Sequence, residues 1–160
     1  IRSYHITIRI KREVLKIIPL IFTAIFASYE DIKKREVSNE ILIIGLINAI
    51  IVAIYNKGFI SALTGSIIMS APLYIMAYTF MIFTGKQGIG GGDVKIAFVY
   101  GMYLRHLKFI HAAFFITFIL AGIFLVIEKL KKRKTDNPGI PLIPFMSIGT
   151  IIIYIIENIV

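Results

Sequence analysis

Apolar residues fall into six long stretches, separated by polar turns or by turns that contain glycine or proline. The stretches cover residues 14–29, 41–55, 59–83, 94–104, 109–127 and 140–156. Hydrophobic residues make up 58% of the chain and charged residues only 17%, more apolar surface than a 160-residue soluble core could hide. The pattern predicts an all-α integral membrane protein, a bundle of about six transmembrane helices in a single domain over residues 1–160.

The fourth stretch, 94–104, is too short to cross a bilayer as one helix. At about 1.5 Å per residue it covers roughly half of the ~30 Å hydrocarbon core. Either it extends through residues 105–111, or it begins inside the membrane and places the preceding glycine turn below the surface. The first stretch could be a signal peptide, but no small-residue cleavage site follows it, so we expect a retained span. In the third, Thr64-Gly65-Ser66 indicates small residues at a helix contact.

Asp31 follows the first stretch and Asp93 precedes the fourth, so two crossings separate the two acids and both should emerge on one membrane face. The positive-inside rule predicts that this face is cytoplasmic, although the basic residues at 2–16 argue the other way. The basic residues on the Asp side are Lys33, Lys34, Arg35, Lys86, Lys95, Lys129, Lys131, Lys132, Arg133 and Lys134. The net charge of +9 lies in short runs beside apolar stretches, which favours the lipid bilayer, not nucleic acid, as partner.

In the segment GKQGIGGGDVK, residues 85–95, glycines, which have no side chain, directly precede the carboxylate of Asp93. Two facing carboxylates share a proton, so one can activate water while the other protonates a carbonyl oxygen or leaving amine. Peptide hydrolysis needs that division of labour and no metal, and glycines would let an extended substrate backbone approach. Two structural alternatives stay open: Asp93 as the N-cap of a helix and Asp31 as a solvated loop acid.

Other catalytic signatures are missing from the sequence. There is no cysteine, no H-E-x-x-H and no G-x-S-x-G, so we predict neither a metal site nor a cofactor. A serine–lysine hydrolase is a weak alternative, because its pairs arise easily by chance; they would join Ser28 or Ser38 to Lys33 or Lys34. A proton-coupled transporter or channel is the competing hypothesis from another class, but it predicts acids near mid-membrane and inverted-repeat halves.

Three segments resemble motifs of the type IV prepilin peptidase and archaeal preflagellin peptidase family of membrane aspartyl proteases. Residues 90–95, GGGDVK, are similar to its GxGD signature, and residues 31–39 are similar to its other motif, with Ser38 where proline is usual. Residues 140–145, IPLIPF, resemble the family's proline-containing start of the last span. The resemblance implies a bundle of about six spans with Asp31 and Asp93 as the catalytic pair, and it selects Asp31 over its neighbour Glu30.

The resemblance also implies a substrate, a precursor whose short basic leader joins a hydrophobic helix and is cut at their boundary. The substrate-approach loop would consist of Gly90, Gly91, Gly92 and Lys95, and the leader contacts of Glu30, Glu36 and Glu40. These glutamates could equally be solvated loop charges. Family members with a second, N-methyltransferase activity have an insert with paired CxxC motifs. A chain without cysteine therefore resembles the short, peptidase-only form.

Overall fold

The structure, a computed structural model, describes residues 2–56, 58–85, 90–104, 106–131 and 140–159, with side chains described from Lys16 to Asn158 within those ranges. These parts of the chain contain six α-helices and no strand, which confirms the all-α prediction. The helices are α1 Arg2–Lys34, α2 Asn39–Tyr55, α3 Phe59–Thr84, α4 Gly91–Gly101, α5 Leu107–Leu130 and α6 Ile143–Ile159.

Within the described residues, two helices, α3 and α5, are long and apolar enough to cross a membrane, while α2 and α6 are shorter apolar helices. The predicted six transmembrane spans are therefore not confirmed by helix length. Large apolar side chains nevertheless cover the outside of the bundle, with Phe83 83% and Ile60 81% exposed. Such an exterior is costly in water and suits hydrocarbon, so it supports membrane association.

The fourth stretch does not continue into the next helix. Helix α4 has 11 residues and ends at Gly101, and the chain then makes tight turns in which Met102 and Tyr103 donate to the carbonyls of Val99 and Tyr100. Because α5 begins only at Leu107, the alternative of one longer helix through residue 111 is wrong. A start of α4 inside the membrane stays a prediction.

Helices α3 and α4 approach at backbone distance near Gly65 and Gly101. A Cβ atom on Gly65 would lie 2.6 Å from the Leu104 carbonyl oxygen, and one on Gly101 would lie 2.8 Å from Ser66 Cα. This confirms the predicted small-residue helix contact. In the C-terminal part of α3, none of residues 74–84 is buried. The two helices are therefore in contact near Gly101 and separate toward Asp93.

Helix α1 packs against both α2 and α6, and α6 also packs against α5. The buried core includes Leu20 and Ala27 of α1, Tyr100 of α4 and Met146 of α6. The fold thereby brings together the end of α1 and the beginnings of α4 and α6.

Candidate active site

Asp31 lies in the last turns of α1 and is only 5% exposed. Its carboxylate accepts a hydrogen bond of 3.0 Å from the backbone N–H of Ile143, the first residue of α6. A helix N-terminus has unpaired N–H donors and partial positive charge, so it favours a carboxylate there. Asp31 is therefore a buried acid bonded to another helix and not a solvated loop acid.

Asp93 is the third residue of α4 and is partly buried. Its side chain accepts the N–H of Gly90 at 3.2 Å, while its own N–H donates to the Gly90 carbonyl at 3.1 Å. The reciprocal pair stabilises the start of α4, as in a capping box. The N-cap of α4 is Gly90, so the alternative of Asp93 as the N-cap is wrong. Asp93 supports the helix start from its third position instead, and the same hydrogen bond fixes the direction of its carboxyl group.

The two acids are close enough to interact electrostatically. Both lie just outside the predicted spans 14–29 and 94–104. Burial, and then the charge of Asp31, raise the pKa of Asp93 to about 6, against the hydrogen bond from Gly90. Burial also raises the pKa of Asp31, while the Ile143 N–H and the charge of Arg35 oppose that rise. When two acids interact and the pKa of one is raised to about 6, one carboxyl group can serve as a base and the other as a proton donor.

The glycines before Asp93 differ in what surrounds them. A Cβ atom on Gly91 would meet nothing within 4 Å, whereas one on Gly92 would lie 3.7 Å from the backbone nitrogen of Val37. Gly91 therefore faces open space and Gly92 faces the connection between α1 and α2. The earlier part of the glycine-rich segment 85–95, residues 86–89, lies outside the described residues.

Two grooves flank the first turns of α4 and share Val94 and Lys95 as a wall. The groove between α3 and α4 has a volume of about 410 Å³, and that beside α2 has about 550 Å³. The first is lined by Tyr74, Ala77, Tyr78, Met81, Gly91, Val94 and Lys95. The second is lined by Asn39, Leu42, Ile43, Leu46, Ser70, Val94, Lys95, Phe98 and Val99. Both are mainly apolar and begin at the helix end that holds Asp93.

Among the described residues, no group of three His, Cys, Asp or Glu side chains could hold a metal ion.

The sequence matches the type IV leader peptidase family over residues 18–126, well over half of the chain. The match includes Asp31 and Asp93 with all of α2, α3 and α4. The chain belongs to the type IV leader peptidase family. Neither a curated protein nor a solved structure gives a significant match. Family membership makes the chain a protease, and it implies a precursor protein in a membrane as substrate.

The three candidate leader contacts of this leader peptidase have different environments. Glu30 accepts the N–H of Ser38 at 2.7 Å and forms an ion pair of 3.5 Å with Lys34. The hydrogen bonds from Ser38 lower the pKa of Glu30. The Glu30 side chain is therefore an anion, and it stabilises the turn after α1. Glu36 and Glu40 are exposed beside that turn.

Sequence reasoning missed the part that α6 plays at the site of this leader peptidase. The family match ends at residue 126, before α6 begins. A backbone N–H, which every residue except proline has, leaves no side-chain signature at Ile143. The only local signal was the resemblance over residues 140–145, which placed a helix start near this position.

Proposed function

We propose that this leader peptidase is a membrane aspartyl endopeptidase that removes the basic leader from type IV prepilin-like or preflagellin-like precursors. The observation that carries the proposal is the pairing of Asp31, which is buried, with Asp93, which is partly buried; the two acids come from distant parts of the chain and interact electrostatically. Taking two interacting carboxyl groups out of water costs stability, and such a cost is characteristic of functional sites. The family match supports this function over the transporter hypothesis.

Their surroundings favour different roles for the two acids. Asp31 accepts an N–H at the start of α6 and feels the charge of Arg35, and both favour its ionised form. Asp93 feels the negative charge of Asp31, which favours its protonated form. We therefore assign Asp31 as the base that takes a proton from water. Asp93 is then the acid that protonates the scissile carbonyl oxygen as water adds to the carbon. When the C–N bond breaks, Asp31 passes the proton it took from water to the leaving amine, and a hydroxyl of the gem-diol returns a proton to Asp93.

The grooves beside α4 supply a place for the substrate. An apolar helix of the precursor would lie along α4, with its polar end at the level of Asp93 and Lys95. The basic leader beyond the cleavage point would then meet the exposed carboxylates of Glu36 and Glu40. Glu30 is left out of this role, because Ser38 and Lys34 already engage it.

The positive-inside rule supports a cytoplasmic active site, because Lys33, Lys34 and Arg35 closely follow Asp31 at the end of α1. We further propose that the enzyme performs the peptidase step without methyl transfer. A chain without cysteine cannot build the paired CxxC site that accompanies that second activity in the resembling proteins.

Cleavage of a precursor tests the proposal directly. The purified protein in detergent should cut a prepilin-like or preflagellin-like precursor at the junction of basic leader and apolar helix, and N-terminal sequencing of the product should locate the cut there. EDTA should leave the rate unchanged, because the two carboxyl groups supply both proton transfers. No cut at the junction, or complete loss of activity in EDTA, would contradict the proposed mechanism.

Gly91→Val tests whether the groove between α3 and α4 receives the substrate. The new side chain would extend into open space, so the melting temperature should stay near the parental value. Cleavage efficiency should fall by roughly tenfold, the scale set by one misfitting apolar group in a pocket.

Gly122→Val is the matched control, because a Cβ atom there also meets nothing within 4 Å but lies on α5, outside both grooves. Equal cleavage by the two glycine variants would show that the substrate does not bind in the groove between α3 and α4.

A further inference from the structure

Three hydroxyl groups, two of them buried and one partly buried, meet one helical turn beneath the acid pair. The hydroxyl oxygen of Ser147 in α6 lies 2.7 Å from that of Tyr100 in α4 and 3.0 Å from that of Ser28 in α1. Tyr100 is fully buried and Ser147 is 4% exposed. One serine hydroxyl has one donor and two acceptor positions, so Ser147 can bond both neighbours at once. We call these three side chains the hydroxyl junction.

The hydroxyl junction joins the same three helices that form the site. On α1, Ser28 precedes Asp31 by three residues, and on α6, Ser147 follows Ile143 by four, so each pair shares a helix face. The contacts between α1 and α6 therefore form two rungs, Asp31 with the Ile143 N–H and Ser28 with Ser147. The third helix, α4, presents Tyr100 two turns after Asp93.

We infer that Ser147 is a positioning residue of the peptidase, which acts through the Ile143 N–H on Asp31 and through Tyr100 on the helix that holds Asp93. In hydrocarbon, polar side chains bond across helices because no water competes for them, so such contacts hold helices in register. The Ile143 N–H can reach Asp31 only if α6 keeps its place along α1. Without that donor, the carboxylate that serves as base loses both its orientation and a group that favours its charge.

This inference rests on the proposed function and is tested in the same precursor assay. Ser147→Ala should lower kcat by roughly 10- to 100-fold, the cost of misplacing a catalytic group, and leave KM within about twofold. KM should hold because the hydroxyl junction lies outside both grooves. The variant should also melt at a lower temperature, since the Tyr100 hydroxyl loses its buried partner.

The double variant Tyr100→Phe/Ser147→Ala separates positioning from stability. It removes both hydroxyls of the shortest contact, so the Tyr100 hydroxyl is no longer left buried without its partner, and the melting temperature should return toward that of the parent. The low kcat should persist, because α4 and α6 are still not joined. Ser66→Ala is the matched control: it removes a fully buried hydroxyl that donates to Ala62 within α3, and kcat should be unchanged.

The outcomes distinguish a failure of the proposed function from a failure of the role inferred for Ser147. A parent protein that cuts no precursor overturns the proposed function, and this role with it. If the parent cuts and Ser147→Ala cuts at the parental kcat, the inference alone is overturned. It is also overturned if the double variant regains kcat together with its melting temperature, because Ser147 would then act only through stability.

Discussion

Replacing either Asp31 or Asp93 by asparagine is expected to abolish precursor cleavage. Each variant keeps one carboxyl group, but an amide can neither take a proton from water nor deliver one to a leaving amine. Loss of one proton-transfer group costs roughly 10²- to 10⁴-fold in rate. The double variant should be scarcely slower than either single variant, because the two residues act as a unit and their effects do not add. Initial rates of precursor cleavage for the three variants measure this.

The folded state should tolerate these changes. An asparagine oxygen can still accept the Ile143 N–H at position 31 or the Gly90 N–H at position 93, so the local hydrogen bonds are kept. Replacing one of two interacting acids that are buried or partly buried also relieves repulsion and desolvation. Melting curves in detergent should therefore show variants at least as stable as the parent, so that lost cleavage reports on chemistry.

Glu30→Gln is the matched control for the acid pair. It removes the charge next to Asp31 in sequence, while its amide oxygen can still accept the Ser38 N–H. We expect it to keep most of its cleavage rate, since Glu30 serves the turn after α1. Near-parental cleavage by either asparagine variant, or a dead Glu30→Gln protein, would show that the wrong acids have been assigned.

The helices were predictable because the length of an apolar stretch can be read directly from neighbouring residues in the sequence. The stretch predicted at 41–55 became α2 at Asn39–Tyr55, and that predicted at 59–83 became α3 at Phe59–Thr84. Helix α1 was underestimated, since it extends back from residue 14 to Arg2 through basic residues. Hydropathy detects the part of a helix that suits hydrocarbon, whereas backbone hydrogen bonding continues through charged residues.

The candidate site was predictable only in part. Asp31 and Asp93 stand out because acids beside apolar stretches are rare and costly. Ile143, the partner of Asp31, lies 112 positions from it in the chain, and its contribution is a backbone N–H. Ser28, Tyr100 and Ser147 are visible as polar residues in apolar stretches, but nothing local says which of them meet. That depends on how α1, α4 and α6 pack, which hydrophobic periodicity does not determine.

Gly65→Val is expected to have the largest effect on stability, because it wedges apart α3 and α4. A Cβ atom there would lie 2.6 Å from the Leu104 carbonyl oxygen and would also meet the carbonyl of Gly101. Both neighbours are backbone atoms, which cannot turn aside as a flexible side chain can. Forced overpacking costs typically about 1–3 kcal/mol. The branched side chain of valine should reach or exceed the upper end, as measured by detergent melting.

Cleavage should fall in the same variant, because α4 holds Asp93 and its far end is fixed by Gly65 and Gly101. A shift of that end would move Asp93 relative to Asp31, and the rate depends on their geometry. Gly122→Val, with open space around its Cβ, should melt and cleave like the parent. If Gly65→Val matched that control in both measurements, α3 and α4 would have to be farther apart than a backbone contact, and their join could not position Asp93.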